Sequence, residues 1–231
     1  MNNIGIIVAM QEELDEVLKM MGCVKQEKIY EIDYYTGKIE TTNVILVKSG
    51  VGKVNAARTT QILIDKLDVK TIINVGSAGA LNPKLNIGDI VIANRLVQHD
   101  FDITAFNHNK GYISGVGDYI DSDEELVSKL KNIANSLKNK EYNVVTGVIA
   151  SGDIFCTEIK MKEKIHSKFN AECVEMEGAA IAQVCYLDNI PFVIIRSISD
   201  SPNGNNAIVF EEFVKLASNR CAFILRELLK K

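Results

Sequence analysis

The chain has 231 residues, 47% of them hydrophobic, and a formal net charge of −4. That apolar fraction is ordinary for a globular protein with a sizeable core, and α/β domains reach this length as one unit. A mildly acidic chain without Lys/Arg clusters offers no footprint for nucleic acid or an anionic membrane, and no apolar stretch approaches the roughly 18 residues of a spanning helix.

Only three prolines, no low-complexity run and no repeat of solenoid period interrupt the chain, so it reads as a single domain over residues 1–231. The opening MNNIGIIVAM lacks a positively charged region and a cleavage site, which makes it a first strand rather than a signal peptide. Five scattered cysteines, Cys23, Cys156, Cys173, Cys185 and Cys221, most of them in apolar segments, read as reduced core residues of a cytoplasmic protein.

Ile4–Ala9 is a buried strand, and Gln11–Met21 continues as a helix with Leu14, Val17 and Leu18 on one face. Glu12 and Glu13 fall in its first turn. Glu13 is either a charge complementing the helix N-terminus or a base at the carboxyl end of a strand. Residues 29–37 and 43–49 read as strands, the second running into SGVGKVNAA. A phosphate loop fails there because Val47 precedes Gly52 at the diagnostic spacing and valine follows Lys53; a dinucleotide fingerprint fails because Asn55 replaces the third glycine. What remains is a tight turn opening a helix that carries Ala57, Ile62 and Leu63.

Thr71–Val75 is a strand ending in Gly76-Ser77-Ala78-Gly79, small residues that make a plain turn or let a ligand approach the backbone. Asp89–Val97 leads to His99-Asp100. The three histidines, His99, His108 and His166, are not paired on a helix, so no metal site is expected, and His99 reads as a hydrogen-bonded structural residue. Asp100–Tyr119 is a long loop whose Phe101, Phe106 and Tyr112 argue for order. Ser122 and Glu125 predict a capping box for a helix carrying Leu126, Leu130, Ile133 and Leu137.

Asn143–Ala150 is a strand ending in SGDIFC, in which Phe155 is either core or a face for stacking, and Thr157–Lys168 is a polar helix. Glu175 and Glu177 precede a small-residue helix carrying Ala179, Ala180 and Ile181, which Pro191 stops. The apolar run 192–195 is a strand buried on both faces that delivers Arg196, Ser199 and Asp200 to the sheet edge where open α/β folds place ligands. Ile208–Leu229 is a long amphipathic helix that includes Phe210. Strands alternating with helices predict an α/β fold, a three-layer α/β/α domain around a largely buried sheet.

VEMEGAA and IIRSISD, together with AMQEEL and NVGSAGAL, resemble in order the bacterial 5′-methylthioadenosine/S-adenosylhomocysteine nucleosidases of the purine and uridine phosphorylase superfamily. The similarity runs from about Ile4 to Phe213. It implies a three-layer α/β/α sandwich around a mixed twisted sheet, assembled as a homodimer that needs no cofactor and acts on a small nucleoside. Cleaving an N-glycosidic bond to adenine calls for a proton donor at the base and an activated nucleophile at the anomeric carbon. By the resemblance, Asp200 is the acid at N7 and Glu13 the base that activates water, with Ser77 and Arg196 positioning that water. The backbone of Met176 and the carboxylate of Glu177 hold the ribose hydroxyls, and Glu175 and Ser199 join the binding set. Phe155 stacks on adenine, whose edge meets the backbone at Cys156, where the family carries a bulkier aliphatic residue. Met10, Val51 and Phe210 form an apolar pocket for an alkylthio group, with Phe106 reaching in from the partner subunit.

An aspartic acid of reference pKa about 3.9 must be raised to hold a proton at neutral pH, at roughly 1.4 kcal/mol per unit, and burial near other carboxylates is the expected means. Three rivals share the fold. A phosphorylase needs a cationic cluster for phosphate, where this chain has AMQEEL; a hydrolase of futalosine or aminofutalosine uses the same acids; a storage or binding protein needs neither Glu13 nor Asp200.

Overall fold

The computed structural model describes residues 3–137, 141–200 and 206–230. In chain order the elements are β1 (Asn3–Val8), α1 (Gln11–Leu18), β2 (Gly22–Ile29), β3 (Ile32–Ile39), β4 (Thr42–Lys48), α2 (Lys53–Leu67), β5 (Val69–Ala80) and β6 (Ile90–Gln98). They continue with β7 (Ile120–Asp121), α3 (Glu124–Ser136), β8 (Val144–Ser151), α4 (Ile159–Phe169), β9 (Ala171–Glu175), α5 (Gly178–Leu187), β10 (Phe192–Asp200) and α6 (Asn206–Leu229).

The strands join in one mixed sheet of order β10-β6-β8-β9-β5-β1-β4-β3-β2, with β7 on β6 and a further pairing of β10 with β5. That last pairing closes β5, β10, β6, β8 and β9 into a ring. It is possible because β5 is 12 residues long. Its first half pairs with β1 in parallel, while Gly79 and Ala80, beyond the end of β1, pair antiparallel with Val174 and Cys173 of β9.

Period-two alternation sends each central strand to two cores. Ile7, Ile45, Val47, Ile72 and Ile194 pack with Ala56, Ile62 and Leu63 of α2 and the small side chains of α5. Their neighbours Ile6, Val8, Leu46, Ile73, Val193 and Ile195 pack with α1, α3 and α6 on the opposite side. Helices therefore cover both faces, as the three-layer expectation requires, and each fully buried aliphatic side chain contributes about 1.5–3 kcal/mol.

Several local expectations need correction. The predicted strand 29–37 spans a turn: β2 and β3 form a hairpin about Tyr30 and Glu31, both at positive φ (49° and 63°), a twist that suits a two-residue hairpin but lacks its usual Asn-Gly signature. α1 stops at Leu18, three residues short of the predicted end, and Cys23, expected in the core, is exposed because β2 is exposed along most of its length. The cap of α3 is Asp123, whose carboxylate accepts from the Leu126 N–H at 2.9 Å, rather than Ser122, whose buried hydroxyl has no partner among the described residues. His99 is buried with Nε2 unpartnered among the described residues, so that nitrogen lacks the expected hydrogen bond. β9 was not foreseen, because Ala-Glu-Cys-Val-Glu is too short and mixed to show a period.

Candidate active site

A cavity of about 430 Å³ opens where β1, β5, β9 and β10 end, a size suited to a small organic ligand. Thirteen residues singled out in the sequence line it, from Met10 and Glu13 after β1 to Phe210 on α6. Phe106 does not; it sits 75% exposed in a short 3₁₀ turn, Thr104–Phe106.

Glu13 occupies the third position of α1, and its side chain turns back over the helix start. Its Oε2 accepts from the N–H groups of Ala9 (2.8 Å) and Met10 (3.1 Å), while Oε1 accepts from the Ser77 N–H (3.0 Å) and hydroxyl (3.3 Å). Helix-terminus complementation and delivery of a carboxylate to a sheet edge are thus one arrangement. Burial pushes the Glu13 carboxyl above its usual pKa, opposed by the charge of Arg196 and those N–H donors.

Arg196 lies fully buried at the centre. Its guanidinium bonds Glu175, donates to Asn74 Oδ1 at 2.6 Å and sits 3.9 Å from Glu177. Glu175 is fully committed to protein donors: besides Arg196 it accepts from the Ser151 hydroxyl and from the N–H groups of Glu177 (3.1 Å) and Gly178 (2.7 Å). Its carboxylate therefore anchors Arg196 and the start of α5, although the residue borders the cavity. Glu177 keeps a freer carboxylate, held through Oε1 by the Gly52 N–H at 2.8 Å. Gly52 has φ of 101°, a conformation only glycine adopts readily, so this N–H is aimed by backbone chemistry. Burial first, and then the charge of Glu175, push the Glu177 carboxyl up to about 8 despite Arg196.

Asp200 ends β10. The ladder with β5 carries an irregularity between Ile198 and Asp200, so Asp200 pairs with Gly79. A Cβ on Gly79 would lie 3.0 Å from Oδ2 of Asp200, and the glycine is what admits the carboxylate here. The charged group beside Asp200 is not another carboxylate, as expected, but an ammonium: Lys162 Nζ donates to Oδ2 at 2.7 Å, with both side chains buried. Ser199 Oγ lies 3.3 Å from Oδ1.

The other wall is apolar. Phe155 and Phe210 meet edge to face with centroids 5.6 Å apart, and Met10, Val51 and Ile154 continue that surface. Cys156 is buried beside Asp200, its thiol pushed up by burial. The turn that carries Val51 is tied down where Lys53 donates its backbone N–H to Asp153 (2.8 Å) and pairs its ammonium with Asp100 (2.7 Å).

Sequence reasoning missed Lys162, Asn74 and Ser151. The signal for Lys162 was its spacing: Lys162, Ile165 and Phe169 form the buried stripe of α4, so this lysine stands where an apolar residue belongs. Asn74 and Ser151 look like ordinary strand residues and betray themselves only through their buried partners.

The profile of the phosphorylase superfamily matches residues 3–230. The chain belongs to the phosphorylase superfamily. Within that superfamily it is 40% identical over 228 residues to the 5′-methylthioadenosine/S-adenosylhomocysteine nucleosidase of Staphylococcus haemolyticus, spanning 98% of this chain and 99% of the relative. The nucleosidase of Neisseria meningitidis in complex with methylthio-immucillin-A superposes with a TM-score of 0.95 at 35% identity, covering 100% of this chain and 99% of the other. A futalosine hydrolase of Helicobacter pylori superposes with a TM-score of 0.93 at 33% identity, covering 98% and 97%. Among the described lining residues Arg196 is the one basic side chain, and Glu175 already holds it.

No group of three or more His, Cys, Asp or Glu side chains disposed to hold a metal occurs among the described residues, and no described helix is long and apolar enough to cross a membrane.

Proposed function

We propose that the protein hydrolyses the N-glycosidic bond of 5′-methylthioadenosine and S-adenosylhomocysteine, releasing adenine and a 5-alkylthioribose. The observation that carries this reading is one cavity with Glu13 and Asp200 on separate strand ends, an apolar wall between them and no uncommitted cation among its described lining. In it Glu13 takes a proton from the attacking water while the Ser77 hydroxyl and Arg196 orient that water. Glu177, pushed up to about 8, is protonated at neutral pH and both donates to and accepts from the ribose hydroxyls, beside the Met176 backbone. Adenine stacks on Phe155, with its edge at Cys156, Ser199 and Asp200.

The alkylthio group fits against Met10, Val51 and Phe210, because a thioether favours apolar and aromatic contact. Val51, Phe155 and Ile154 are each more than two-fifths exposed in the single chain, and a homodimer in which Phe106 of one subunit covers this wall of the other accounts for that exposure. Residues 1–231 serve as one catalytic domain of a cytoplasmic enzyme that uses no cofactor.

The test is adenine release from methylthioadenosine, adenosylhomocysteine and aminofutalosine, compared side by side. Turnover of the first two at the higher kcat/KM supports the proposal; a preference for aminofutalosine moves the chain to the futalosine branch, and no release from any of them removes the hydrolase reading.

A further inference from the structure

Lys162 presents its ammonium 2.7 Å from Oδ2 of Asp200, the two side chains only 2% and 3% exposed. α4 seats it there deliberately: Ile165 and Phe169 on the same stripe pack into the small core over Ala150, Ala171 and Val174. A buried pair of this kind is weak evidence for stability, since desolvating both charges offsets most of their attraction. It also raises a chemical question. An acid that faces a purine must bring a proton, and the carboxylate of an ion pair brings none of its own. The ammonium does.

Resting on the hydrolase reading above, we propose that Lys162 and Asp200 act as one acid, with Lys162 storing the proton and Asp200 passing it to the ring nitrogen of the departing purine. As the glycosidic C–N bond breaks and its electron pair moves onto the base, an Nζ–H bond of Lys162 breaks, and the proton crosses the Asp200 carboxyl to form the N–H of neutral adenine. Lys162 is left as an amine and Asp200 as a carboxylate. On the sugar, water forms the new C–O bond and gives its proton to Glu13, from which it returns to Lys162 through solvent. Protons and charge balance over the cycle.

An alkylammonium is an acid of the strength that a departing purine anion calls for, and lysine changes its protonation readily when buried. Guanidinium does not give up its proton in proteins. Among the described residues the Cys156 thiol and the Ser199 hydroxyl also lie beside Asp200. Lys162 is thus a positioning and proton-storing residue that acts through Asp200.

Lys162→Arg separates this from a structural or purely electrostatic role, because it keeps the charge and the ion pair and removes the transferable proton. On the full chain with methylthioadenosine, kcat of Lys162→Arg at neutral pH should fall by at least roughly 30-fold while thermal melting shows a folded protein. Adding Lys162→Arg to Asp200→Asn should cost less than about threefold more, since both remove the same step. The wild type needs no variant: as pH rises, its kcat/KM should hold through neutrality, until Glu177 ionises. Lys162→Arg with kcat within about threefold of wild type, or a wild-type kcat/KM that already declines with rising pH before about pH 7, would overturn the inference. Full activity in Asp200→Asn would also overturn it, and a wild type that releases no adenine would sink the hydrolase reading beneath it.

Discussion

A Cβ built on Gly76 would lie 2.8 Å from Oε1 of Glu13, closer than real Cβ atoms come to an oxygen. Gly76 and Gly79, three residues apart on β5, each clear room for one carboxylate of the cavity. The pair of glycines in NVGSAGA is therefore a consequence of where the two acids sit, rather than of turn geometry.

Gly76→Ala should consequently act as a displacement of Glu13. The carboxylate must yield its bonds to Ser77 or the strand must shift, which costs about 1–3 kcal/mol as overpacking does and lowers kcat by roughly tenfold or more. Melting temperature and steady-state kinetics measure both. A Gly76→Ala protein with unchanged kcat would contradict the tight placement of Glu13.

Glu13→Gln should impair chemistry far more than binding. Every described donor around Glu13 is an N–H or O–H group, so an amide NH₂ placed there meets a donor it cannot satisfy, at a cost of about 1–3 kcal/mol in stability. We expect kcat to fall by about 10²-fold or more with little change in the Kd of a substrate analogue, whereas Glu177→Gln weakens that Kd as well. Titration calorimetry beside kinetics distinguishes them; Glu13→Gln with lost binding and intact turnover of bound nucleoside would remove it as the base.

The broad outline was legible because it rests on periodicity and length. Runs such as Ile4–Ala9 and 192–195 are too apolar and too short to be anything but buried strands, and each ends in residues that do not suit a core. Thirteen residues named from the sequence line a single cavity, and several of them, Met10, Val51, Met176 and Phe210 included, were named through the family resemblance rather than through periodicity. What stayed hidden depends on contacts distant in sequence. Lys162 meets Asp200 across 38 positions, and Asn74 meets Arg196 across 122. Nor does any local pattern announce that β5 outlasts β1 and so recruits β9, which is what brings Glu175 to Arg196.

The pH dependence of stability carries the signature of Glu177. Its carboxyl is pushed from 4.5 up to about 8 in the folded protein, so across that window the folded state keeps a proton that the unfolded chain has released. Folding then weakens as pH rises from about 4.5 to 8, on the order of 1 kcal/mol per unit, and this contribution is gone above the folded value. Glu177→Gln has no such proton to keep. Its melting temperature should therefore gain on that of the wild type as pH climbs through the window, and a constant difference between the two would show that Glu177 is ionised throughout.

The central claim is that water, not phosphate, attacks the sugar. Arg196, the one basic side chain of the described lining, is held by Glu175, and a phosphate dianion entering there finds no uncommitted cation among the described lining where a phosphorylase offers cations. The most direct measurement is product analysis of methylthioadenosine turnover with and without phosphate. Adenine and free 5-methylthioribose, formed at one rate in both conditions, are the expected result; a ribose 1-phosphate product, or a rate that rises in proportion to phosphate, would contradict it.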